Sequence, residues 1–470
     1  MLRRRVAIAL GLIAAGGAAC VLLLLSRAPR APLPAARQTG VKVVLIGIDG
    51  ASLRVMDPLL ASGRLPQIKA LMDAGAWGVL RSEDPMKSPA LWTTIATGRS
   101  RQDHGITDFV IPRGLRGRPS LVGSKDRRAL ALWNIVSAFG RRVGFLGFWA
   151  SWPAEPVKGW LVSDRATRER WNEWAGGRQE ERLAYPASLA TELEPLIVDP
   201  MDPPMDVVEG LVSLDEAEKA EFKSAKKPVF AHGLSVFKFA FCSQLSYERM
   251  AMHLLARDQP TLTGIFLVAN DPVSHTFWHY YEPGAFPGTL DKARAARLGR
   301  LVPALYEHND TFLKALLERL APQTVVMIVS DHGFEASGSL PATRPARDLF
   351  EGPEAERAAL NGVIAVGQSG KHDLSGVFIA AGGPIRKATG VRASIYDVAP
   401  TVLALLGLPV PRDMPGRVLE EAIDPMFLAE HPVRRIPSYE PLVDRDATLG
   451  SDGGDDEQKK DLLRSLGYIR

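Results

Sequence analysis

The chain has 470 residues, 46% of them hydrophobic and 23% charged, an ordinary globular composition that excludes a disordered, collagen-like or coiled-coil protein. Its net charge of +4 is set by residues 1–30, which carry five arginines and no acid; the rest of the chain nets −1 and gives no reason to expect nucleic-acid binding. Cys20 and Cys242 are the only cysteines, so neither a disulfide framework nor a cysteine zinc site is available, and any metal must be held by oxygen and imidazole nitrogen.

In chain order, the first element is the run Val6 to Leu25, which has no charge and is long enough to cross a bilayer as a helix. Arg3, Arg4 and Arg5 would keep its start in the cytoplasm and send the remainder to the periplasm or cell exterior. An uncleaved anchor is expected rather than a cleaved signal, whose apolar region is shorter, and Gly17 and the VLLLL that follows Cys20 speak against a lipoprotein. Residues 1–39 therefore read as membrane anchor and tether, with Ala28 to Gly40 rich in Pro, Ala and Arg.

Folded structure is predicted to begin with a strand over Val41 to Ile48, followed by a crossover helix over Leu65 to Ala74 and a short helix over Ser88 to Thr97 closed by Gly98. From about Val110 to Pro260 the pattern is irregular, with many Trp, Pro and Gly residues and a charged stretch from Asp164 to Arg182. Strand and helix alternation resumes at Leu262, with a helix over Leu301 to Leu320 and a strand over Thr324 to Ser330, and continues to Leu406. This organisation predicts an α/β catalytic domain of three layers around a mostly parallel sheet, built from 40–109 and 261–425, interrupted by a cap or specificity insertion over 110–260. Residues 426–470 read as a tail ending in the short amphipathic LLRSLGYI stretch. No phosphate loop of the G-x-x-x-x-G-K-[ST] type is present.

Three acid and histidine clusters sit just after apolar runs that read as buried strands: Asp49 after VKVVLI, Asp271 to His275 after GIFLVAN, and Asp331-His332 after TVVMIV. In open α/β sheets ligands bind outside the carboxyl ends of the strands, so such groups converge on one crevice and suit divalent cations. Asp271 and His275, at i and i+4, would share one side of a helical turn. Taken singly, each residue has a plainer reading. Asp49 and Asp331 could be turn or cap residues, His275 a packing neighbour of Phe277 and Trp278, and His372 a surface loop residue. Ser88, followed by Pro89, reads either as a helix N-cap or as a hydroxyl held where helix N–H groups favour an anion, ready to act as a nucleophile in phosphoryl transfer. Thr93, Thr94 and Thr97 are poorer nucleophile candidates, and His104, His279 and His308 read as structural or peripheral.

The series G-I-D-G, S-P-x-L-W-T-T-I-A-T-G, D-H-G-I, D-x-x-x-H, S-D-H-G and G-K-H-D, running in that order from Val41 to Leu406, resembles the alkaline phosphatase superfamily, in its type I phosphodiesterase and nucleotide pyrophosphatase branch. The resemblance implies two divalent metal ions, usually zinc. Asp271, His275 and His372 match the ligands of one, and Asp49, Asp331 and His332 those of the other, with Ser88 as both nucleophile and metal ligand. It also implies hydrolysis of a phosphate ester, mono or di, through a phosphoseryl intermediate. Other members of the branch leave a phosphonate hydrolase or a membrane-linked phosphoryl transferase as alternatives, and a non-catalytic binding protein is disfavoured because all six ligand positions are filled. One departure bears on substrate. Nucleotide pyrophosphatases of this branch place an Asn shortly after H-G-I, where this chain has Phe109, so Lys87 would have to supply the missing contact or else is a solvated charge. Trp149 to Pro153, with Trp152 foremost, and the pair Trp171 and Trp174 either line an apolar substrate pocket or pack the insertion's own core.

Overall fold

The computed structural model of the chain describes residues 31–111, 120–167, 182–226, 232–288, 290–340 and 368–443. Its centre is a sheet of nine strands: β1 (Val43–Ile48), β2 (Ala76–Arg81), β3 (Val143–Leu146), β4 (Gly159–Val162), β5 (Ala184–Tyr185), β6 (Leu262–Leu267), β7 (Val325–Val329), β8 (Ser375–Ala381) and β9 (Ala388–Ser394). The strands lie in the order β9-β2-β8-β7-β1-β6-β3-β4-β5. All neighbours pair in parallel except where β8 meets β7 and β2 and where β5 meets β4.

β1 is central, with Val43 opposite Leu262 on one side and Val325 on the other, and all six of its residues are buried. Such a continuous apolar run is what a parallel strand covered on both faces requires. Because successive side chains point to opposite faces, β1 feeds two cores. Val44, Ile46 and Ile48 pack with helices α1 (Leu53–Ala61), α2 (Pro66–Ala74), α4 (Gly233–Arg257), α5 (Asn270–Tyr281) and α6 (Leu301–Leu317). Val43 and Leu45 pack with α3 (Ser88–Thr97), the helix Leu132–Ala138 and α7 (Val398–Leu405). The result is the expected three-layer α/β architecture with a large, mostly parallel sheet.

The segment 110–260 is not the separate insertion that its irregular composition predicts. It supplies β3, which pairs with β6, then β4 and β5, extending the main sheet by three strands, and α4 joins the first core. These strands have four, four and two residues, too few for a readable period, with Gly144 inside β3, Gly147 just past its end and Gly159 opening β4. Nor does the folded body stop at 425. Tyr439 is fully buried and donates its hydroxyl to Pro409 O at 2.7 Å, and Arg435–Ile436 pairs with Val410–Pro411. Among the described residues no helix is long and apolar enough to cross a membrane; the anchor expected over Val6 to Leu25 lies outside them, as do Trp171, Trp174 and the stretch Ser451 to Arg470.

Candidate metal centre and active site

β7, β1 and β6 are adjacent and parallel, so their carboxyl ends open side by side. Asp49 directly follows β1, Asp331 and His332 follow β7, and Asp271 and His275 occupy the first turns of α5 just beyond β6. His372 arrives on a hairpin in which Gly370–Asp373 runs antiparallel to Gly333–Ala336, placing His372 opposite Phe334. Gly50 allows the first turn to come close: a Cβ there would stand 2.5 Å from the Phe334 ring and 3.2 Å from the Asp271 backbone.

The six side chains form one buried centre. Ligand atoms of Asp271, His275 and His372 lie within 4.8 Å of one another, and so do those of Asp49, Asp271 and His332. The first group matches the sequence expectation. In the second, Asp271 stands where Asp331 is expected, while Asp331 Oδ2 lies 3.6 Å from His332 Nε2. Asp271 is thus common to both groups, with Oδ1 3.0 Å from His372 Nε2, 3.4 Å from His275 Nε2 and 3.6 Å from His332 Nε2.

The hydrogen bonds fix the imidazole tautomers. A carbonyl can only accept, so His275 Nδ1 donates to Gly370 O at 2.8 Å, His372 Nδ1 to Met86 O at 3.2 Å and His332 Nδ1 to Gly333 O at 3.1 Å. Each ring then turns its Nε2 inward, the usual arrangement for a metal-binding histidine whose other nitrogen is pinned. Nε2 of His275 and Nε2 of His372 face each other at 2.8 Å, and Asp271 Oδ1 lies 3.0 Å from the latter, a contact that a shared proton or a cation satisfies. Both oxygens of Asp331 and Nε2 of His332 are fully buried with no hydrogen bond of ordinary geometry. Burial, then the charges of Asp331 and Asp271, pushes the Asp49 carboxyl well above its usual range, and burial does the same to Asp331. Burial also opposes ionisation of Asp271, but His275 and His372 outweigh it and hold that carboxyl low. Burial, followed by His372 beside it, keeps His332 neutral. Three carboxyl groups and three imidazoles gathered in one centre are a donor set suited to divalent cations.

Ser88 is buried and is the first residue of α3, with Pro89 behind it and no side chain capping the helix. No hydrogen bond of its hydroxyl occurs among the described residues, so the plain N-cap reading does not account for it. The segment around it touches both groups: Met86 O accepts from His372, and Trp92, one helical turn past Ser88, donates Nε1 to Asp49 Oδ1 at 3.3 Å. Lys87 is a third exposed, 3.8 Å from Asp108 Oδ1, with its Nζ 5.8 Å above the Phe109 ring. Phe109 is buried edge-on to Trp149 at 5.5 Å. Trp152 lies in the first core beneath the Arg165 guanidinium, 3.9 Å from the ring centroid, which fits packing better than a pocket wall.

The profile of the family described as "Type I phosphodiesterase / nucleotide pyrophosphatase" matches residues 43–345, a span that includes Asp49, Ser88, Asp271, His275, Asp331 and His332. The chain belongs to this family. It is accordingly a hydrolase acting on phosphate ester bonds. No curated protein matches it in sequence. Among solved structures it is similar to phosphonoacetate hydrolase from Sinorhizobium meliloti 1021 in complex with phosphonoformate, at 13% identity over 81% of this chain and 100% of that one, TM-score 0.47. It is also similar to murine ectonucleotide pyrophosphatase/phosphodiesterase 5, an inactive form in complex with AMP, at 13% identity over 79% of this chain and 96% of that one, TM-score 0.43.

Several residues that hold the centre together carry no motif. Ser330 Oγ accepts from Ala51 N and donates to His332 O, both at 2.8 Å, joining the Asp49 and Asp331 turns. Ser369 N donates to His275 O at 2.6 Å, setting the hairpin against α5. Ser330 could have been picked out as the residue just before Asp331; Ser369 gives no sequence signal. His104, read as structural, is buried and bonded to Thr94 Oγ1 at 3.0 Å. His279, one helical turn past His275, is bonded to Ser369 Oγ at 2.9 Å, and His308 is bonded to Glu248 at 2.9 Å.

Proposed function

We propose that this chain is a two-metal phosphodiesterase or phosphatase in which Ser88 is the nucleophile. The observation that carries the reading is the convergence of Nε2 of His275 and Nε2 of His372, 2.8 Å apart beside Asp271, in contact through Met86 with the segment that delivers Ser88. Asp271, His275 and His372 would hold one cation and Asp49, Asp331 and His332 the other, with zinc the cation this donor set suits best. When bound, the cations supply Lewis-acid stabilisation of charge on the phosphoryl and leaving oxygens. The chain's own groups do the rest. Ser88 Oγ forms a bond to phosphorus as the bond to the leaving alcohol breaks, and its proton leaves with that alcohol. Water then attacks the phosphoserine, the phosphorus–Oγ bond breaks, and the hydroxyl is restored. The Ser88 backbone N–H, at the start of α3 where no side chain caps the helix, would serve a nonbridging oxygen. The uncharged run Val6 to Leu25 behind three arginines supports attachment to a membrane with the enzyme on its outer side.

The test is a set of p-nitrophenyl phosphate, its phosphodiester and phosphonate analogues and the sulfate, offered to purified protein with zinc. Turnover of a phosphorus ester is expected, together with its loss in Ser88→Ala while about two ions per chain remain bound. Full activity in Ser88→Ala would remove the nucleophile assignment, and an ion-free protein that zinc does not activate would remove the two-metal reading.

A further inference from the structure

The loop 82–87 joins β2 to α3 without regular structure, yet it must place two things at once: the Met86 carbonyl that orients His372, and Ser88. Its middle is held by one side chain. Arg101, whose side chain is only 8% exposed, gives Nε to Glu83 Oε1 at 2.8 Å, Nη1 to Pro85 O at 3.0 Å and Nη2 to Glu83 O at 3.4 Å. Glu83 is gripped from the other side by the Tyr396 hydroxyl, in the turn that starts α7 and is itself fixed by Asp397 Oδ2 accepting from Ser394 N at 2.8 Å. Arg101 also stands on a firm base. Its short helical turn is capped by Ser100 and contains His104, which is bonded to Thr94 of α3. Loop, helix and turn therefore form a closed triangle with the guanidinium at its centre.

We propose that Arg101, with Glu83 and Tyr396, is a positioning unit for the metal centre: it fixes the Met86 carbonyl, and so the direction of His372 Nε2, in register with Ser88. Arg101 touches neither ligand nor nucleophile and acts through two backbone carbonyls. A planar fork that serves carboxylate and carbonyl together is something lysine cannot reproduce, and a partner one step behind a metal ligand, here the Met86 carbonyl that Arg101 holds in place, typically governs affinity by about 10- to 100-fold. The inference rests on the two-metal reading with Ser88.

The experiment titrates the full-length protein with zinc alone against a chromogenic chelator, and separately measures kcat and KM on whichever phosphate ester it turns over. Arg101→Gln is expected to weaken one of two bound ions about tenfold or more and to lower kcat at saturating zinc with KM nearly unchanged. Arg101→Lys should recover part of both losses. Tyr396→Phe, which removes only the hydroxyl, should give a smaller effect of the same kind and keeps the test valid should Arg101→Gln fail to fold. Wild-type zinc affinity and kcat in folded Arg101→Gln would overturn the proposal, as would equal weakening of both ions in step with a fall in thermal stability. Failure of the underlying reading looks different: Ser88→Ala would stay active, or wild-type protein would bind no zinc.

Discussion

Trp92 donates its indole N–H to Asp49 across the boundary between α3 and β1, on a helix whose first residue is Ser88. The approach is possible because β1 carries Gly47 beneath the indole: a Cβ there would stand 2.5 Å from Trp92 Cζ3 and 2.6 Å from Cη2. Gly47→Ala must therefore push the ring away. Overpacking of this kind costs about 1–3 kcal/mol, and here it also withdraws the donor from Asp49. A lower melting temperature together with weaker zinc binding is expected; unchanged zinc affinity would show that the indole does not set Asp49.

Asp331 separates the needs of the fold from those of the metal. Its two carboxyl oxygens are buried with no hydrogen bond of ordinary geometry, a situation that costs several kcal/mol for an ionised group unless a cation compensates. In the presence of chelator, Asp331→Asn is expected to melt at or above the wild-type temperature. Added zinc should raise the melting temperature of the wild type and raise that of the variant much less. Calorimetry with and without chelator reads both, and a chelated variant that melts well below wild type would contradict the assignment.

Lys87 tests the substrate side. Its pair with Asp108, 3.8 Å long and partly exposed, is worth no more than about 1 kcal/mol. Lys87→Met should leave the melting temperature almost unchanged while raising KM for an anionic phosphate ester roughly 3- to 10-fold, an effect that shrinks as salt screens the charge. An unchanged KM makes Lys87 a solvated charge.

His104 gives the protein a pH dependence distant from the chemistry. Burial, then the Arg127 and Arg101 charges, lowers its pKa from 6.5 to about 3. Between those values the unfolded chain binds a proton that the folded one refuses, so stability rises with pH across the window and falls as pH drops from 6.5 toward 3. The slope from this one group is at most about 1.4 kcal/mol per pH unit. Denaturant midpoints at pH 7, 6 and 5 should fall less steeply in His104→Gln than in wild type; parallel slopes would mean that His104 titrates normally.

Much of this was legible in the sequence where a local rule had nothing to compete with. The helix Ser88–Thr97 appears as predicted because serine, proline and a closing glycine mark its ends, and β1, β6 and β7 follow from long apolar runs. Asp271 and His275 do share one side of a helix. The strands β3 and β4 do not stand out in the sequence, although VGFL before Gly147 and WLV before Ser163 are apolar runs that end where strands of this sheet end. Their neighbours are tryptophans and prolines that suggested irregularity, and a four-residue strand is held by its partners in the sheet rather than by its own pattern. The Met86 carbonyl lies beyond any such reading, because every residue carries a carbonyl and only the fold decides which one meets His372.

The centre gathers its groups from remote parts of the chain: Ser330 binds Ala51 279 residues away, and His372 meets Asp271 101 residues away. A protein with two cysteines in 470 residues has almost no disulfides to draw on. Cations bound at this centre would act as its cross-links, closing the longest loops of the chain, where the entropy removed from the unfolded state is greatest. A nascent chain could complete the Asp271, His275 and His372 group only after its His372 hairpin is made, so capture of a cation there would come late in synthesis, when β1, β6 and β7 have already emerged.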